Sequence, residues 1–307
     1  MLTVFPDYYE KFKCIADKCK HNCCIGWEID IDGDTLCKYK NMGGTLGARL
    51  EKNIEYGEVP HFILGENERC PFLNGQNLCD IIIGAGEEAL CDICRNHPRF
   101  INELPGRTEI GVGMACEEAA RLILGQKSPA VLIGNGKSED EIINLRDGAV
   151  SALQNREKSL DGRIKDMLLL CSSTFPEKTL GEWADILLSL ERLDEKWTEQ
   201  LESLKKDYKN IDFDGFAEYM SDRRTEYEQL TVYLIYRHFA NSPDTYEAAA
   251  RASFAVLGCL VIYSLGALLW TKQKKFTFEE QVELCRLFSS EIEYSDENVY
   301  ILLDELY

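Results

Sequence analysis

From residue 139 onward, apolar positions recur at three-and-four spacing, the signature of helices that bury one face. Leu145 to Arg156, Gly162 to Cys171, Leu180 to Leu190 and Phe213 to Phe239 each carry the pattern. Ser242-Pro243 then breaks it ahead of Ala252 to Trp270, a run of 19 residues without a charge, flanked by Arg251 and by Lys272, Lys274 and Lys275. A bilayer span needs about 20 such residues. Ser253, Gly258, Tyr263, Ser264 and Gly266 interrupt the run, and the helical sequence on both sides needs an apolar element to pack around. The segment therefore reads as a buried core helix rather than a membrane span. Thr277 with Glu280 predicts a capping box for a helix through Phe288, and Ser295 caps a last helix from Asp296.

The first 126 residues read differently. Asn41-Met42-Gly43-Gly44, Leu73-Asn74-Gly75 and Gly84-Ala85-Gly86 punctuate them with turns, leaving room for only short helices and strands. Gly125 to Ser138 reads as a connector. The expected fold is mainly α, with a loop-rich cysteine-cluster domain over 1–126 and an all-α helical domain over 127–307.

Ten of the 13 cysteines lie between Cys14 and Cys116. The start of the chain mixes acids and bases and lacks the apolar core of a secretory signal, so the cytoplasm is the expected compartment. There thiols stay reduced, and closely spaced cysteines serve as metal ligands or catalytic thiols rather than disulfides. Four groups stand out: Cys14, Cys19, Cys23 and Cys24 in FKCIADKCKHNCCIGW; Cys70 and Cys79 in ERCPFLNGQNLCDI; Cys91 and Cys94 in LCDICRNHPRF; and Cys116 in GMACEEAARLIL. The Asn-Gly turn between Cys70 and Cys79 can fold both sulfurs to one side. Thiolate sets suit tetrahedral zinc and iron-sulfur clusters alike, and the spacing does not choose between them. These nine cysteines exceed one four-ligand site. Cys37, Cys171, Cys259 and Cys285 stand alone and read as bystanders. Neither His21 nor His97 is assigned a ligand role; Arg95 and Arg99 either balance a thiolate cluster or lie on the surface.

Charge narrows the partners. Thirty-four Lys plus Arg against 53 Asp plus Glu leave −19, which repels nucleic acid and favours a basic protein partner. No phosphate-binding loop, zinc-protease helix motif, nucleophile elbow or dinucleotide fingerprint is present in the sequence.

In this order, the four cysteine groups resemble those of the flagellin lysine N-methylase family. The likeness is carried by Cys14 to Leu124, while the helical remainder fits in length and character without a motif of its own. A looser likeness links Cys23, Cys24, Cys70, Cys79 and Cys94 to small cysteine-cluster proteins described as zinc- or iron-chelating. One departure is Glu117, where the family leads one to expect proline. The resemblance implies methyl transfer from S-adenosylmethionine to surface lysines of flagellin, or of another lysine-rich protein, in the cytoplasm. It also implies participation of a 4Fe-4S cluster, with zinc as the alternative metal. It assigns no base for the lysine; Glu68, Asp80 and Asp92 are merely the acids nearest the cysteines in sequence. The competing readings are a non-enzymatic zinc- or iron-binding module for protein interaction or metal handling, and a dithiol redox protein using Cys91 and Cys94.

Overall fold

The chain enters on a strand, β1 (Leu2–Pro6), whose sheet partners come from much later in the sequence. In the computed structural model, which describes residues 2–136 and 138–307, the fold is mainly α and divides into two compact units. One is 13–100; the other combines 2–12 with 101–307.

The smaller unit is made of short pieces: α1 (Gly33–Lys40), α2 (Gly44–Lys52), a ribbon of β2 (Ile54–Glu55) and β3 (His61–Phe62), α3 (Asp80–Ala85) and α4 (Asp92–Asn96). Helices this short are not stable alone and need tertiary ties. Asp32 supplies one, accepting from Thr35 N at the start of α1 and from Asp92 N at the start of α4, both at 2.9 Å. The Tyr39 hydroxyl supplies another, donating to the Ala89 carbonyl at 2.7 Å. Ile29, Ile31, Tyr39, Leu50, Ile54, Phe62 and Phe72 fill a common core that also takes in Cys70 and Cys91.

The larger unit opens on a four-stranded sheet in the order β4 (Arg99–Leu104), β5 (Arg107–Val112), β1, β6 (Leu132–Ile133). β1 runs parallel to β5 and antiparallel to β6. This pairing places residues 2–12 and 101–126, grouped with the cysteine-rich segment on spacing alone, in the larger unit. It also puts a short strand inside the expected connector, where Asp7 N donates to Val131 O at 2.8 Å.

Among the described residues, ten α-helices complete the unit: α5 (Glu117–Leu124), α6 (Glu141–Leu153), α7 (Leu160–Leu170), α8 (Leu180–Ser189), α9 (Glu195–Asp207), α10 (Phe213–Tyr219), α11 (Thr225–His238), α12 (Thr245–Gln273), α13 (Phe278–Phe288) and α14 (Asp296–Glu305). A π-helical turn, Ser289–Glu293, follows α13. Thr277 and Glu280 form the capping box expected for α13, Ser295 caps α14, and Thr179 with Glu182 makes a second box on α8. The single helix expected over Phe213 to Phe239 is broken at Ser221–Arg223. There Arg223 turns aside to hold Glu226 through two 2.8 Å contacts and the Phe276 carbonyl at 2.6 Å. α9 lies in a stretch dominated by charge and buries only the stripe Trp197, Leu201 and Leu204.

Ala252 to Trp270 falls within α12, most of whose apolar window is buried inside the unit. α11, buried over nearly its whole circumference, packs beside it. Two carboxylates bind the helices to their surroundings: Glu109 on β5 takes Arg146 in a fork at 2.6 and 2.7 Å, and Glu228 on α11 takes Arg163 at 2.6 Å and Arg156 at 2.8 Å. Gly258 marks the close approach of α12 to its neighbours. A Cβ there would stand 2.7 Å from Leu234 and 3.1 Å from the Phe288 ring. Gly258→Ala is therefore expected to destabilise the protein by about 1–3 kcal/mol despite its better helix propensity, measured as a lower urea midpoint at unchanged slope.

Candidate functional site

Local pairing in the smaller unit gathers the cysteines. A β-bridge between Ile25 and Arg69 lays two segments side by side, and Cys70 N donates to Cys24 O at 2.9 Å. A second bridge, Leu73 to Cys79, closes the Asn-Gly turn; Asn74 Oδ1 accepts from Gln76 N and Leu78 N inside it. Cys79 thus returns beside Cys70 at the start of α3. Cys91 occupies the N-cap of α4 and Cys94 its first turn, so the C-x-x-C spacing puts both on one side of the helix. Cys24, Cys70, Cys79, Cys91 and Cys94 all join the core of this unit, and Cys23 adjoins Cys24 nearer the surface.

The thiols act on one another. Cys24 donates a hydrogen bond to Cys23, which lowers the Cys23 thiol to about 7 and raises Cys24 far above the ordinary range. Cys91 and Cys94 repeat the arrangement: the bond from Cys94 lowers Cys91, while the same bond and burial raise Cys94. Burial lifts Cys70 to about 11 and raises Cys79 as well, although the Ile82 and Ile81 N–H groups face the Cys79 sulfur. Two proton-sharing pairs and two hard-to-ionise thiols in one core make a concentrated soft-donor set. A bound cation would stabilise thiolates that burial alone disfavours. The sulfurs are packed as free thiols, and no three His, Cys, Asp or Glu side chains among the described residues stand in closed ligand geometry.

The remaining cysteines fall elsewhere. Cys14 is exposed, its sulfur accepting from Ala16 N at 3.4 Å, and Cys19 is half-buried beyond the same short turn. Cys116 belongs to the larger unit, where it is the N-cap of α5 within electrostatic reach of Tyr294. Glu117 takes the first helical position after it, where a proline also fits because the N–H there needs no helical partner. Of the nearby polar residues, Asp80 holds Arg49 at 2.8 Å and Asn74 at 3.0 Å, and Arg95 holds the carbonyls of Leu90 and Glu88. These side chains serve the local fold.

A second polar concentration went unread in the sequence. Tyr233, Arg237 and His238 on α11 converge on Glu293 of the π-turn, all within the larger unit. Nothing in the sequence singles these three out, because α11 also carries Glu226, Glu228, Gln229 and Thr231, and the π-turn that brings Glu293 to them has no sequence signature.

The FliB lysine N-methylase C-terminal domain family matches residues 175–307. The flagellar biosynthetic protein FliU of Salmonella muenchen is 27% identical over 142 residues, covering 43% of this chain and 82% of that protein. A lysine-N-methylase of Salmonella typhimurium is 25% identical over 136 residues, 41% of this chain and 33% of the relative. A lysine-N-methylase of Salmonella choleraesuis matches to the same extent. The chain thus spans a third of the length of these lysine-N-methylases. No solved structure matches it. Over residues 175–307, the chain is thus similar to the C-terminal domain of the FliB lysine N-methylases.

Proposed function

We propose that this chain is a protein lysine N-methyltransferase that takes its methyl group from S-adenosylmethionine, acts on lysines of flagellin or a similarly lysine-rich protein, and works in the cytoplasm. The observation that carries the reading is the match of 175–307 to the C-terminal domain of a lysine N-methylase family. The flagellar assignment leans on the relative described as a flagellar biosynthetic protein. Charge supports the partner class: −19 on this chain draws in a lysine-rich surface at long range, an attraction that salt weakens.

The thiol core would hold the metal. Cys24, Cys70, Cys79, Cys91 and Cys94, with Cys23 at the edge, offer more soft donors than the four a 4Fe-4S cluster or a zinc ion needs. Bound there, such a group supplies fixed charge and a rigid frame for a unit built of short helices. Methyl transfer itself asks this of the protein: the acceptor ε-ammonium must lose its proton so that its lone pair can attack the sulfonium methyl.

The test is to isolate the chain without oxygen, titrate S-adenosylmethionine by calorimetry, and then incubate with flagellin and digest for mass spectrometry. Donor binding and methylated lysines are expected. A chain that holds metal but neither binds the donor nor methylates lysine would overturn the reading and leave a metal-binding module in its place.

A further inference from the structure

The Glu293 network has features that stability alone does not call for. Tyr233 O–H donates to Glu293 Oε1 at 3.2 Å while its oxygen accepts from Met114 N at 3.0 Å and Arg237 Nη1 at 2.8 Å. His238 Nε2 donates to Glu293 Oε2 at 2.7 Å, and Arg237 Nε lies 3.4 Å from the same oxygen. All four residues are at most 8% exposed. An apolar replacement of such a set is commonly as stable or more so, and π-turns concentrate at functional sites. Tyr294 extends the network toward solvent. Next in sequence to Glu293, it is 46% exposed, has the Arg237 guanidinium 4.5 Å from its ring centroid and accepts a hydrogen bond from it. The half-buried Cys116 lies within electrostatic reach of its phenol.

We infer that Tyr294, oriented by Arg237, receives the acceptor lysine ε-amine for methyl transfer; the inference rests on the methyltransferase reading above. An amine arriving at the phenol meets a fixed positive charge in a partly desolvated setting, which penalises ammonium and favours the neutral nucleophile. The proton leaves to water before the transfer step. The Tyr294 oxygen accepts one N–H of the neutral amine, which leaves the nitrogen lone pair directed away from the ring. That lone pair forms the new N–C bond as the methyl C–S bond of the sulfonium donor breaks, its electrons passing to sulfur to give a neutral thioether. Glu293 and Tyr233 anchor the guanidinium, and Arg237 is a positioning residue because it acts through Tyr294.

The experiment compares wild type, Tyr294→Phe and the paired Arg237→Gln/Glu293→Gln, each isolated without oxygen, in steady-state methylation of flagellin with S-adenosylmethionine. Tyr294→Phe keeps the ring and removes the oxygen. Its kcat is expected to fall about tenfold or more, with the flagellin KM and the calorimetric donor affinity each within about twofold of wild type. The paired variant removes both buried charges together and is expected to show the same split. Tyr294→Phe turning over like an active wild type overturns this inference and leaves the methyltransferase reading standing. Loss of donor affinity with kcat intact places the donor at the ring and also overturns it. A wild type that binds no donor and methylates nothing overturns the function reading, and the inference falls with it.

Discussion

Glu293→Ala is expected to lower the unfolding free energy by roughly 3–5 kcal/mol, because it strands a buried guanidinium and a buried imidazole at once. Arg237 is 8% exposed and His238 7%, so water cannot replace the lost carboxylate. The change is read from urea unfolding followed by tryptophan fluorescence, since Trp183 and Trp197 are buried in this unit. Glu293→Gln, which restores an acceptor but not the charge, is expected to fall between wild type and alanine. A loss below about 1 kcal/mol for the alanine variant would mean that the charges are not buried as described. The same network gives a pH signature. His238 is held neutral, below the ordinary imidazole value, mainly by burial and with the Arg237 and Arg251 charges adding to it. Below about pH 6.5 the unfolded chain gains a proton there that the folded protein refuses, so stability falls as the solution is acidified. Burial pushes Glu293 up, but the Arg237 charge together with the His238 and Ser289 contacts holds it below the ordinary carboxylate range, and its contribution is lost only as pH falls through that lowered value. His238→Gln keeps a donor for Glu293 but does not titrate. Its stability relative to wild type is expected to improve steadily as pH drops from 6.5 toward 5.

How much of this was legible in the sequence depends on the range of the interaction involved. Thr277 with Glu280 and Ser295 act within one helical turn, and both caps appear where their spacing puts them. The apolar run of α12 was long enough to declare itself as a core helix. α9 was hidden because three apolar residues in a charged stretch make a faint stripe, and the break before α11 depends on Arg223 reaching Phe276, which no local pattern encodes. Cysteine spacing found the thiol set but not its membership. Cys24 and Cys70 meet through a bridge between distant segments, while Cys116, fourth in the series of groups, sits in the unit organised by the β1–β5 pairing. The family match falls on 175–307, a stretch in which no motif was apparent.

The thiol core bears on stability as directly as Glu293 does. The unit 13–100 depends on a small core that takes in Cys70 and Cys91 and on short helical or ribbon pieces of nine residues or fewer. A domain of that size is marginal on hydrophobic burial alone, whereas ligand bonds contribute folding free energy outright, about 10–16 kcal/mol for structural zinc sites. The chain isolated without oxygen is therefore expected to carry metal. Near-equal iron and acid-labile sulfide, about four of each, would match a 4Fe-4S cluster, and zinc without sulfide would replace it by a structural ion. Cys70→Ser and Cys91→Ser, at the two most buried positions of the set, are expected to lose the metal and to melt the smaller unit. Cys171→Ser, in the larger unit, should leave metal content unchanged. Chelation should have the same selective effect as the thiol variants: protease sensitivity gained within 13–100, with the buried tryptophans Trp183 and Trp197 of the larger unit still reporting a folded environment. Equal metal content in wild type and Cys91→Ser would remove the thiol core from the list of metal sites. The two proton-sharing pairs would then stand as a redox-sensitive dithiol set, and any methyl transfer would have to proceed without them.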